Sequence, residues 1–229
     1  MAYSQLINQS VQLNLAGSSY LIGSIIDIGK DMLVVHTNNR YVYIPTTYIH
    51  SLKKIPPHYI TENSSLIDQS IFNSTFSLPP VFIQKDDSSS TLSFQKVIEN
   101  AMSHYVEIKI SPKETLTGKI LSVQSDYCLF WNLQSQKHLI ISLAHIKWLS
   151  PLHELAISEG IKVDTYNNQN TTTLPASLFD YLLSINNKHV EIDKSLAGYV
   201  SNVTKDFLEL KNIYGEDTFI PLTHIKYIY

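Results

Sequence analysis

Short stretches that alternate strictly between apolar and polar residues are the most regular feature of this chain. Val11-Gln12-Leu13-Asn14-Leu15, Val106-Glu107-Ile108-Lys109-Ile110 and Val190-Glu191-Ile192 each place apolar side chains on one face of an extended backbone. That period of two marks a half-buried strand. Residues 5–11, 96–102 and 178–184 precede them with apolar positions at helical spacing, predicting three short amphipathic helices. Downstream, residues 21–35, 116–130 and 196–210 can be laid over one another, and in each a glycine stands eight positions before an aspartate. The pairs are Gly23 and Asp31, Gly118 and Asp126, and Gly198 and Asp206. A closing motif follows each aspartate. It reads Ile44-Pro45-Thr46-Thr47-Tyr48-Ile49, then Ile141-Ser142-Leu143-Ala144-His145-Ile146, then Ile220-Pro221-Leu222-Thr223-His224-Ile225.

The chain is thus one unit written three times. The glycine suits a bend or bulge in a strand. The aspartate suits the tight turn into the next strand. Pro45 and Pro221 suit a one-turn 3₁₀ segment before the last strand. A helix followed by about five short, strongly bent strands is the layout of SH3-like and Sm-like barrels. The pattern predicts a mainly β protein of three tandem small β-barrel modules, each with a short N-terminal helix. The modules are placed at residues 1–54, 91–150 and 174–229. Linkers at 55–90 and 151–173 separate them. The first is Pro- and Ser-rich but carries Ile71, Phe72, Phe76, Val81 and Phe82, too apolar a set for a free coil. The second ends in Asn167-Asn168-Gln169-Asn170-Thr171-Thr172-Thr173 and reads as flexible.

Composition narrows the function. Of 229 residues, 44% are hydrophobic but only 16% charged, against about 25% in an average soluble protein. Such a weakly charged surface repels copies of itself poorly. The net charge is −3, and Arg40 is the single arginine, which argues against a nucleic-acid binder. Tyrosine is abundant, with 14 copies, among them Tyr41, Tyr43, Tyr199, Tyr214, Tyr227 and Tyr229; exposed tyrosines favour protein–protein contact. Cys128, the one cysteine, lies in the apolar run Tyr127-Cys128-Leu129-Phe130-Trp131 and reads as a small buried hydrophobe. No signal peptide and no membrane span are expected.

Candidate chemistry is sparse. The nine histidines show no i, i+4 pairing and no H-E-x-x-H string, so no metal site is expected. His145 and His224 hold equivalent positions, but Tyr48 holds the same place in the first unit. Tyrosine and histidine share an aromatic body and a polar tip that reaches backbone, so these three read as structural anchors. Asp31, Asp126 and Asp206 supply one carboxylate per unit, too few for paired acid–base work. With seven glycines and no phosphate-binding loop, no cofactor site and no catalytic site are expected.

The string Leu6-Ile7-Asn8-Gln9-Ser10-Val11-Gln12-Leu13-Asn14, followed by Gly23, Asp31 and an ending like His224-Ile225-Lys226-Tyr227-Ile228, resembles the repeated region of the spore coat protein B family of endospore-forming bacilli. The resemblance covers all three units. It implies a non-enzymatic, structural component of the outer spore coat, made in the mother cell cytoplasm and deposited on the forespore. Its implied partners are other coat proteins, with self-assembly into a homo-oligomer as a further expectation. The well-known member of that family continues into a phosphorylated Ser- and Lys-rich tail; this sequence stops at Tyr229, just after the third unit, so that modification is not expected to carry over. The alternative function is a nucleic-acid or polysaccharide binding module that uses the barrel surfaces.

Overall fold

The computed structural model describes residues 4–56, 92–152 and 174–229, apart from Ser18, Asn39 and Ser103. Nearly all of the two predicted linkers lies outside the described residues. The strands are β1 (Ser10–Leu15), β2 (Ser19–Ile28), β3 (Met32–Thr37), β4 (Arg40–Pro45), β5 (Ile49–Lys54), β6 (Tyr105–Ser111), β7 (Glu114–Val123), β8 (Tyr127–Asn132), β9 (Lys137–Ser142), β10 (Trp148–Pro151), β11 (His189–Ile192), β12 (Leu196–Val203), β13 (Phe207–Lys211), β14 (Asp217–Pro221) and β15 (Tyr227–Ile228). Among the described residues there are two α-helices, α1 (Phe94–Asn100) and α2 (Leu178–Ser184).

The expectation of three tandem barrels, each with its own helix, is wrong. The strands form one open fifteen-stranded antiparallel sheet, in the order β14-β13-β12-β11-β15-β9-β8-β7-β6-β10-β4-β3-β2-β1-β5. The closing strands explain the difference. β10 pairs with β6 of its own repeat and also with β4 of the repeat before. In the same way β15 pairs with both β11 and β9. A strand that joins two repeats leaves neither one a separate barrel.

The helix expected over residues 5–11 is also absent. Among its described residues, the first repeat has a 3₁₀ turn at Ser4–Leu6 in place of that helix. Counting back from the equivalent Val11, Val106 and Val190, that turn sits where the last turn of the other helices sits. Asn8, at φ 61°, then takes the left-handed conformation that ends a helix, as Asn187 does at φ 63°. The two complete helices start on serines: Ser93 Oγ accepts the Lys96 N–H and Ser177 Oγ accepts the Asp180 N–H, satisfying N–H groups that a helix start leaves open.

The chain folds as two compact units, residues 1–117 with 147–162, and residues 118–146 with 163–229. In the first, Val11, Leu13, Leu21, Ile25, Leu33, Val35, Val42 and Ile44 form a core that Trp148 of β10 also packs against. The closing strand of the second repeat therefore fills the core of the first. In the second unit, Tyr127 and Ile140 share one core with Leu178, Leu182, Val190, Val200, Leu208 and Ile228. Each long second strand carries a bulge at the same place, between Ile25 and Asp27, Ile120 and Ser122, and Val200 and Asn202. An extra residue bends the strand and raises its twist.

Arg40 on β4 forms an ion pair with Glu107 on β6; their side chains keep 17% and 4% of their exposure. Water therefore reaches Glu107 poorly, and the guanidinium supplies its compensation. Arg40→Ala is expected to cost about 3–5 kcal/mol, because it strands a buried carboxylate. Pairing Arg40→Met with Glu107→Leu should recover most of that loss. Urea unfolding followed by tryptophan fluorescence measures both.

Candidate interaction surface

The nine anchors expected from the sequence lie in the second strands, in the turns that follow them and in the closing 3₁₀ turns. Gly23, Gly118 and Gly198 sit in the second strands, β2, β7 and β12, facing the backbone of the third. A Cβ at Gly118 would come within 1.8 Å of the Trp131 carbonyl oxygen; at Gly23 the corresponding distance is 2.5 Å to His36, and at Gly198 it is 2.9 Å to Lys211. These glycines are needed for close approach, and the bulge lies two residues further on.

The aspartates have a role beyond the turn. Asp31 Oδ1 accepts the Phe94 N–H at 2.7 Å, and Asp126 Oδ1 accepts the Leu178 N–H at 2.8 Å. Each thus caps the helix of the repeat that follows. Just before them, Lys30 N–H donates to the Leu92 carbonyl and Ser125 N–H to that of Ala176. The turn and the incoming helix hold each other reciprocally. Asp206, third in the series, is exposed, and its turn receives no helix among the described residues.

Tyr48, His145 and His224 all lie in the 3₁₀ turns that precede β5, β10 and β15. They are not gathered into one site. His145 Nε2 carries a proton and donates it to the Thr223 carbonyl at 2.9 Å. Burial pulls the His145 pKa below its ordinary value; the hydrogen bond to Thr223 and the charge of Asp193 oppose this, while Lys226 and His224 reinforce it. Burial raises the Tyr48 phenol. Cys128 is fully buried, and its thiol is pushed up to about 12 by desolvation.

A cleft of about 610 Å³ in the second unit is lined by Lys137, His138, His189, Glu191 and Tyr229, with Gln136 and Val190. Its polar groups are engaged with aromatic rings: His138 packs on Trp131, His189 meets Tyr199 edge-on, and the Lys137 ammonium lies 5.1 Å from the centre of the Tyr229 ring. Among the described residues no three His, Cys, Asp or Glu side chains come together as a metal cage, and no helix is long and apolar enough to cross a membrane.

What sequence reasoning missed is an exposed apolar surface on the third repeat. Phe207 is 46% exposed, while its equivalents Met32 and Tyr127 are at 1% and 0%. Phe219 is 63% exposed, while Tyr43 and Ile140 are at 0% and 4%. Ile213, Tyr214 and Tyr199 are exposed nearby in sequence or on the adjoining strand. The signal was in the repeat alignment: positions apolar in all three repeats, with a covering neighbour in only the first two.

This geometry defines an antiparallel β repeat protein with an uncovered terminal repeat. No protein-family description matches the chain. It is similar to the uncharacterized protein YwrJ of Bacillus subtilis (strain 168), at 23% identity over 237 aligned residues, covering 97% of this chain and 96% of that protein. The similarity runs through all three repeats and both intervening segments.

Two predictions follow from these contacts. Alanine at Gly118 should destabilise most, by about 3 kcal/mol or more, and alanine at Gly198 least, with Gly23 between them; thermal unfolding of the three variants gives the order. The second concerns pH. A histidine whose folded pKa is depressed takes up a proton first in the unfolded state. Stability is therefore full above the unfolded value of about 6.5 and is lost as pH falls below it toward the folded value. The urea midpoint should fall as pH is lowered from about 7.5 to about 5.5, and His145→Gln should flatten that slope.

Proposed function

We propose that this protein is a non-enzymatic structural component of the bacterial outer spore coat, acting by protein–protein contact. The observation that carries the reading is the exposed apolar surface of the third repeat, Phe207, Phe219, Tyr199, Tyr214 and Ile213. Aromatic side chains are enriched where proteins meet, and these are exposed on one repeat. Aromatic residues are also the side chains that bury most area at little entropic cost on association. The resemblance of the repeats to spore coat protein B supplies the setting, and the end-to-end similarity to a Bacillus subtilis protein is in keeping with it. The low charge fits as well, since a coat layer needs surfaces that pack against neighbours without strong repulsion.

In a coat layer the other coat proteins are the partners, and the protein needs no reactive centre. Synthesis in the mother cell and deposition on the forespore belong to the same reading. Immunogold labelling of sporulating cells tests it. Label should concentrate over the outer coat of the forespore late in sporulation. Label confined to vegetative cytoplasm, or to the spore core, would overturn the proposal.

A further inference from the structure

The two repeat junctions inside this chain share one register. At the first, Tyr43 of β4 stands opposite Leu149 of β10. At the second, Ile140 and Ile141 of β9 stand opposite Ile228 and Tyr227 of β15. Tyr43 and Ile140 are equivalent residues, as are Leu149 and Ile228. In both cases the fourth strand of one repeat receives the last strand of the next. At the end of the series, among the described residues, β14 pairs only with β13, and its other edge has no strand partner there. At the other end, among the described residues, β5 pairs only with β1, so its second edge has no strand partner there.

We propose that a second copy of this chain completes the series, its β5 pairing antiparallel with β14 in the register of the internal junctions. This deepens the assembly reading above by naming the partner and the contact. Carried over, that register sets Phe219 against Leu52, Thr218 against Lys53 and Asp217 against Lys54 of the second copy.

Three observations favour this occupant. The backbone is ready: Leu222 N–H donates to Asp206 and Asn212 N–H to Glu216, so by alternation the Phe219 N–H points away from β13 to the open edge. Its equivalent Ile140 lies on the side where Ser142 N–H donates to Lys226 of the incoming segment. The side chains are ready: Phe219 and Thr218 are exposed where Tyr43, Ile140, Val42 and Leu139 are buried by such a junction. The charges match, since exposed Lys53 and Lys54 meet an edge carrying Glu216 and Asp217.

Such a contact is heterologous, with different surfaces on the two partners. Every copy then keeps one donor edge and one acceptor edge, and growth stops only on closure or when an edge is blocked. This is how a coat component could extend in the plane of a layer using contacts already present within each molecule.

The purified full chain tests the contact directly. In size-exclusion chromatography with light scattering, the mass should rise with concentration from about 1 to about 100 µM, the range over which a contact of micromolar Kd fills. Phe219→Lys should weaken association about tenfold or more, because it removes an aromatic at the centre of the contact. Lys54→Asp should weaken it too, and adding Asp217→Lys should restore it; all three positions are exposed, so far-UV circular dichroism should stay that of the wild type. In a Cys128→Ser background, mixing a Thr218→Cys chain with a Lys53→Cys chain should give a mixed disulfide under mild oxidation, since directly opposed strand residues lie within bridging reach. A Tyr214→Cys chain mixed with the Lys53→Cys chain should not. A monomer throughout the concentration range, or association indifferent to Phe219→Lys and to the charge swap, would overturn the proposal. The localisation experiment can fail while this one succeeds, so the two readings stand or fall separately.

Discussion

An extended strand carries backbone donors and acceptors on both edges, and in this protein the need to pair them organises everything else. The fourth strand of a repeat meets its own third strand on one side. Its other side needs a partner, and the next repeat supplies one through its last strand, β10 for β4 and β15 for β9. That sharing turns a row of similar units into a continuous sheet. It also explains why the cores are shared, with Trp148 packed against the first repeat and Tyr127 in a cluster with residues of the third.

The junctions are reinforced away from the ladder. Asp31 and Asp126 hold the helix starts at Phe94 and Leu178, and the residues before them, Lys30 and Ser125, bond to Leu92 and Ala176. Each repeat therefore offers its successor an edge, an apolar patch and a helix cap. This one-dimensional logic is typical of repeat proteins, in which every unit is stabilised mainly by its neighbours and the ends are the exposed points. Natural edges are often blunted by charge or kept short. Here β5 ends in Lys53 and Lys54, and β14 begins at Asp217, so the two edges carry opposite charges.

Much of the local structure was legible in the sequence. Alternation placed β1, β6 and β11, and the Gly–Asp spacing placed the second strands and the turns after them. The closing motif marked the 3₁₀ turn and the final strand. These are short-range consequences of side-chain period and turn chemistry, which a single strand or turn expresses alone. The helix predicted over residues 5–11 failed because helical spacing says nothing of caps. Ser93 and Ser177 start the other two helices, and Asn8 ends the first segment after one turn.

By itself, the sequence determined that a unit of about five strands is written three times, which residues face inward along the alternating strands β1, β6 and β11, and that each second strand carries a glycine; that the glycine serves close backbone approach, with the bulge two residues on, came from the structure. Only the tertiary structure decided where the closing strands go. Within one repeat, β10 could serve β6 alone and close a barrel; nothing in its four residues says that it also pairs with β4. That choice depends on contacts between residues about a hundred positions apart, and pairing partners are not encoded in local pattern. The same long-range arrangement decided the roles of Asp31 and Asp126, which spacing marked as turn residues and the fold made into helix caps. It also separated Phe219 from its equivalents Tyr43 and Ile140, three similar positions in sequence of which just one is left uncovered.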